Sequence, residues 1–305
     1  MPPRRAAATP KRIAMPTRNA PKRAATTPPK QRRSTSPAGA CIEAVSQKLQ
    51  AKANAYDRYW ENSDGCHGTP FYCSGRPRPL FRGQLHFWSA VASPLWIGYQ
   101  LSLCQTAGET AVVLLASLGA VSMLGASGCY HTMNWKDEPT ELLAGKMDYS
   151  AIYMQIAFSG APLYHLLVPS PYNWGVIGIT SFCAVLGVLM TFGSGSFMFN
   201  GQYDSRHLGT VIYAIMGGAQ VLPLTSRLFS NDSAWSLLVP SEQNMILTLT
   251  FAYLVGSMIY ANAKPKLWQS VFGFHELWHL LVVVGTACSY GVNTSLLLRR
   301  AGVAA

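Results

Sequence analysis

The first 42 residues of this chain contain no acidic side chain; the first is Glu43. Residues 1–40 carry ten Lys or Arg, so this segment supplies +10 of the formal net charge of +11 and the remainder is close to neutral. The positive charge therefore describes one Pro-, Ala- and Thr-rich stretch and not a basic face on a folded body, which gives no support to a nucleic-acid partner. Charge is scarce elsewhere too. Charged residues make up 12% of the 305 positions, about half of the usual share of about 25% in a soluble domain. Polar helix faces are also missing: AVVLLASLGAVSMLGA, residues 111–126, offers none at 3.6-residue spacing, which argues against a stack of buried soluble helices.

What is present in place of charge is apolar length. Seven runs of about 20 residues, each long enough to cross a hydrocarbon core of about 30 Å, lie at about 85–104, 109–130, 148–168, 173–194, 208–226, 244–262 and 274–297. Glu109, Asp148 and Glu276 stand at their edges. The runs are rich in Gly, Ala and Ser, as in membrane helices that pack closely. The pattern predicts an all-α integral membrane protein with seven transmembrane helices. Lys and Arg in the loops predict a cytoplasmic N-terminus, with Lys136, Lys146, Arg206, Lys264 and Lys266 on the same side, and a C-terminus outside. Asn231-Asp232-Ser233, a glycosylation acceptor pattern, then falls in an outer loop. Three segments are expected: a disordered basic tail or targeting segment at 1–41, an amphipathic juxtamembrane segment at 42–75, and the seven-helix membrane domain at 76–305. Eight prolines within residues 1–40 oppose the amphipathic helix of a transit peptide and favour a tail drawn to anionic lipid. The membrane could be the plasma membrane or an internal one.

Seven cysteines are an odd number. Cys41, Cys66 and Cys73 precede the first run on the expected reducing side, where thiols are the expectation. GCHGTPFYC, residues 65–73, lacks a recognisable four-ligand spacing.

The chemistry-bearing motif is FGFHELWHLL, residues 272–281, which holds H-E-x-x-H. On a helix, His275 and His279 share one face about 6 Å apart at Cβ. Soluble zinc peptidases use this spacing, but their larger class needs an acidic ligand downstream, and residues 280–305 contain no Asp or Glu. The extended form needs a Gly and a third His soon after, where this chain has LLVVVG. A peptidase is not the reading. Instead, the expected topology brings His131, Asp148, His275 and His279, with Ser127, to one depth near the inner leaflet. Nitrogen ligands and a carboxylate suit zinc, and three protein ligands plus a water form a catalytic arrangement. His165 lies 17 residues past Asp148, about 25 Å along a helix, and cannot join. His207 is expected to be interfacial. His86 either anchors the first span or serves the site. Glu276, about 100° round the helix from His275, fits a helix cap as well as a base.

RPRPLFRGQLH (76–86), the S-x-x-x-H at 127–131, KMDYSAIYMQIAFSGAP (146–162) and LVGSMIYANAKPKLWQSVFGFHELWHLLVV (254–283) resemble the hemolysin III and progestin-adipoQ receptor family. The resemblance covers residues 76–297 and excludes 1–60. It implies zinc held by His131, His275 and His279, a water held by Asp148, and a role for Ser127. It also implies a membrane-lipid partner and ceramidase-like hydrolysis of a lipid amide. The other function class is a signalling receptor with a structural zinc site and no catalysis.

Overall fold

The computed structural model describes residues 72–73, 78–193, 203–225, 233–268 and 271–302, except for the side chains of 203–208. The basic tail, the amphipathic stretch, most of GCHGTPFYC, Asn231 and the His207 side chain lie outside the described residues. All described residues belong to one compact unit, Trp60–Ala305. Regular structure among them is helical, apart from an isolated bridge between Trp268 and Phe272.

Helices occupy all seven apolar runs. In chain order they are α1 Gln84–Leu103, α2 Ala107–Thr132, α3 Glu138–Ser159, α4 Ala161–Leu167, α5 Tyr172–Gly193, α6 Tyr203–Ala219, α7 Leu222–Thr225, α8 Pro240–Asn262 and α9 Phe274–Arg300. Two runs differ from expectation. The third is two helices, and it begins ten residues early because Asp137 accepts the Thr140 N–H at 2.9 Å, with Pro139 in the first turn. Hydropathy detects only the apolar part of such a helix. The fifth ends at Ala219 and resumes for one turn as α7. Four helices, α2, α5, α8 and α9, are long and apolar enough to cross a membrane by length and composition.

Burial is inverted relative to a soluble fold. Gln100, Glu109, Glu242, Glu276 and Asn293 are buried. Leu95 is 82% exposed, and Ile179, Phe182 and Phe251 are each more than 60% exposed. An apolar surface of this kind is stable against lipid and not against water.

Two sets of polar contacts, each with a buried partner, fix the helix directions. At one end, Glu242 pairs with Arg299 at 2.6 Å and Glu109 with Arg300 at 3.5 Å. These pairs join the start of α8 and the start of α2 to the end of α9. Gln100 near the end of α1 donates to the Tyr290 carbonyl and to Thr294 on α9. At the other end, Arg82 pairs with Glu276, joining the start of α1 to the start of α9. So α2 runs antiparallel to α1 and α9, and its C-terminus meets their N-termini. Small residues receive aromatic rings where helices cross: Gly187 lies under Tyr153, Gly256 under Trp278, and Gly285 under Tyr253. A side chain at any of these glycines would displace the ring.

Candidate metal centre

The last turn of α2 carries His131, 3% exposed, with Ser127 buried one turn earlier on the same helix. The first two turns of α9 carry His275 and His279, and the third turn of α3 carries Asp148. The start of α1 closes over His131. Gly83 has φ 79°, a left-handed conformation open to glycine, and a Cβ there would lie 2.5 Å from the His131 Cβ. One turn along α2, a Cβ on Gly128 would fall 2.7 Å from the Phe87 backbone. These two glycines let α1 and α2 cross at backbone contact beside the histidines. One apolar cluster, Met123, Leu124, Ala151 and Val282, packs further along these helices. Another is built on Tyr72, Tyr130 and Ala144, and its two tyrosine rings pack against His131.

The three histidines converge. One ligand atom from each lies within 4.8 Å of the other two. Ring centroids stand 4.8 Å apart for His131 and His275, 5.1 Å for His131 and His279, and 4.6 Å for His275 and His279. Two imidazoles bound to one tetrahedral zinc at about 2.05 Å would have centroids about 5.2 Å apart and nitrogens about 3.4 Å apart. The rings are already close to co-ligand spacing, and rotation of their edges would bring the nitrogens in. The His279 Nδ1 atom is buried without a hydrogen-bond partner, an unmet demand that an ion could fill. The donor set fits a borderline metal such as zinc.

Asp148 stands beside the cluster, its Oδ2 3.5 Å from His131 Nε2. That is too long for a strong hydrogen bond and close enough to reach anything held between the rings. On the opposite edge of the same imidazole, Nδ1 shares a 2.5 Å hydrogen bond with the Tyr72 hydroxyl. Tyr72 thereby fixes the ring so that Nε2 faces the site. Tyr260 lies edge-on to His275 at 5.4 Å and shares a 2.5 Å hydrogen bond with the Tyr149 hydroxyl.

Glu276 does not face the site. It is fully buried, accepts the Gly273 N–H at 2.6 Å and pairs with Arg82. Of the two readings of this residue, helix cap or base, its contacts are those of a cap. His165 sits at the opposite end of the bundle, where a Cβ on Gly108 would touch it.

Residues 75–290 match the haemolysin-III-related family. The chain belongs to this family. It is 27% identical over 201 residues to the ADIPOR-like receptor IZH1 of Eremothecium gossypii, covering 62% of this chain and 60% of that protein. It is also 27% identical over 199 residues to the heptahelical transmembrane protein ADIPOR2 of Oryza sativa, covering 62% of this chain and 82% of that one. Hemolysin-3 of Bacillus cereus is 25% identical over 146 residues, 47% of this chain and 57% of that one. The chain thus spans well under two thirds of the fungal and bacterial relatives. As a haemolysin-III relative with several long apolar helices, it is a multi-pass integral membrane protein.

Two neighbours of the site, Tyr72 and Arg82, carry no site expectation from the sequence, and a third, His86, carries one of two. Tyr72 precedes the family match, and no periodicity or motif marks it. Of the two readings of His86, span anchor or site residue, its stack on His279 places it beside the site. The Arg82–Glu276 pair had one available sign: Glu276 is a lone charge at the edge of an apolar run, and a buried charge needs a partner.

Proposed function

We propose that this haemolysin-III relative is a zinc-dependent hydrolase of a lipid amide of the ceramide class. In this reading the chain spans the membrane seven times from a cytoplasmic N-terminus to a C-terminus outside. The site then lies near the inner leaflet, residues 1–41 form a basic tail, and 42–75 are juxtamembrane. His131, His275 and His279 hold the metal, and the partner is a membrane lipid. The observation that carries the reading is the position of Asp148, beside the three converging imidazoles and outside the ligand set.

When bound, zinc would supply Lewis acidity, polarising a carbonyl and bringing the pKa of water toward about 7. Asp148 takes the proton of the attacking water at its carboxylate and returns it to the departing amine nitrogen. Ser127, one turn from His131 on α2, offers a hydroxyl donor toward the carbonyl oxygen as charge develops there. Tyr72 holds the His131 ring in register throughout.

The receptor names of several relatives favour a second reading. In it, zinc ties α2 to α9 structurally and an outer or lipid ligand shifts helix packing. One experiment separates the two: metal analysis of purified protein, with lipid-amide turnover measured before and after chelation and in Asp148→Asn. The hydrolase reading expects about one zinc per chain, lost in His279→Ala. It also expects Asp148→Asn to keep the metal and lose about 10²–10⁴-fold in turnover. Zinc-loaded Asp148→Asn turning over at the wild-type rate would remove the base, and with it the mechanism. Metal loss in Asp148→Asn would make the carboxylate a ligand.

A further inference from the structure

His86 is 2% exposed on the first turn of α1, and neither of its ring nitrogens makes a well-aligned hydrogen bond, although the His279 backbone lies beside the ring. An imidazole always carries at least one N–H donor, and in its neutral form one acceptor as well. Leaving both unmet in a buried position is costly, and native interiors rarely tolerate it. The ring lies flat on His279, with centroids 3.9 Å apart and planes 12° from parallel.

Spacing decides whether His86 is a fourth ligand. Rings sharing a tetrahedral zinc would sit about 5.2 Å apart, centroid to centroid. The three converging histidines are at 4.6 to 5.1 Å. His86 and His279 are a stack and cannot be co-ligands at that separation. His86 also stands outside the group whose ligand atoms converge. A buried imidazole beside the centre, outside ligand spacing and without a well-aligned hydrogen bond, has a ring nitrogen that a bound molecule could meet.

We propose that His86 is a ligand-binding residue of the metal centre, donating a ring N–H to the oxygen of a carbonyl- or carboxylate-bearing molecule held there. The inference rests on the metal reading of the previous subsection and adds the group that recognises the bound oxygen. The stack aligns the His86 plane with a metal-binding ring, so one molecule can meet both the ion and this donor. Arg82 lies one turn away on the chain, but Glu276 engages it. That leaves His86 as the buried side chain on α1 at this level with unmet hydrogen-bonding capacity among the described residues.

The test uses the full chain in detergent, loaded with cobalt so that its visible spectrum reports the coordination sphere, and titrated with acetate. His86→Phe keeps the aromatic stack and removes both nitrogens. It should retain one cobalt per chain and the wild-type spectrum without acetate, while weakening acetate binding at least about tenfold. His86→Asn returns an N–H donor and should recover part of that affinity; it also serves as the working variant if the phenylalanine does not fold. Unchanged acetate affinity in His86→Phe would overturn the proposal, because the ring would then be packing only. Loss of cobalt in both variants would overturn it too, making His86 a ligand. If the wild-type chain takes up no metal, the function reading fails and this proposal with it. Metal uptake with indifferent variants removes this proposal alone.

Discussion

Replacing Gly83 with alanine tests the site through a residue that never touches the metal. The added Cβ would lie 2.5 Å from the His131 Cβ, where ordinary contact begins at 3.4 Å. Either α1 or the end of α2 must give way by the difference, 3.4 − 2.5 = 0.9 Å. Metal–ligand distances tolerate only about ±0.2 Å, so a displacement several times larger should pull His131 out of register. A further effect acts in the same direction: the φ of 79° at Gly83 is costly for alanine. Zinc affinity, measured by competition with a chromophoric chelator, should fall by at least about tenfold, the lower bound for misplacing a ligand through its support. Gly98→Ala on the same helix is the control, since nothing lies within 4 Å of its added Cβ. Wild-type zinc affinity in Gly83→Ala would mean that His131 is not held by this crossing, or does not ligate at all.

Other consequences are accessible to similar measurements. Tyr72→Phe keeps the ring packed on Tyr130 at 5.7 Å and removes only the hydroxyl bonded to His131; zinc should bind about 10–100-fold more weakly, and an unchanged affinity would refute the orienting role. Arg82→Ala leaves the fully buried Glu276 without its cation, a loss of about 3–5 kcal/mol, so unfolding in detergent should shift down by many degrees; an unshifted transition would show that the Gly273 N–H alone satisfies the carboxylate. The Asp137 carboxyl, outside the spans, is held below its ordinary value of 3.8 by the Thr140 side chain and N–H. A lowered value in the fold means that this cap stabilises fully above about pH 4 and fades as pH falls through the folded value. Asp137→Ala should therefore lower the melting temperature at neutral pH, with the gap closing on acidification; a gap that widens in acid would reverse the sign.

The positions of the helices were readable because lipid demands one long apolar run per crossing, and a helix occupies every run the sequence shows. Their starts were less readable. The Asp137–Pro139 signal belongs to capping chemistry, which hydropathy does not register, and α3 begins well before its apolar part. The histidines were legible for the same reason as the runs. Once helix order is fixed, the ends of α2 and α9 must share a level, and residues one turn apart share a face. Lateral contact was harder to place. Whether His86 lies against His279 or against lipid depends on how α1 is rotated about its axis, and the sign of that rotation was a sparse polar stripe, His86, Ser93 and Gln100, at seven-residue spacing on its buried face. Tyr72 was hidden more deeply, since it reaches His131 from a segment with no helical period and across 59 positions of sequence.

The glutamate inside H-E-x-x-H has an explanation that needs no peptidase. Glu109, Glu242 and Glu276 are all buried, and each accepts a backbone N–H near the start of its helix: Gln105 at 2.6 Å, Val239 at 3.0 Å and Gly273 at 2.6 Å. Each also meets an arginine from another helix or its end: Arg300, Arg299 and Arg82. Two of the three sit at the end of the bundle away from the histidines, where no metal chemistry could have selected them. A glutamate in the first turn satisfies orphan N–H groups and the positive end of the helix dipole, and a paired arginine lets the charge remain buried. Glu276 follows that rule in every contact. Its two carboxylate oxygens are engaged by Arg82 and by the Gly273 N–H. In the hydrolase reading the proton-accepting role belongs to Asp148, the carboxylate within 3.5 Å of His131 Nε2. In this chain a peptidase-like string arises from two independent demands on one helix start: histidines for the site, and a glutamate for the cap between them.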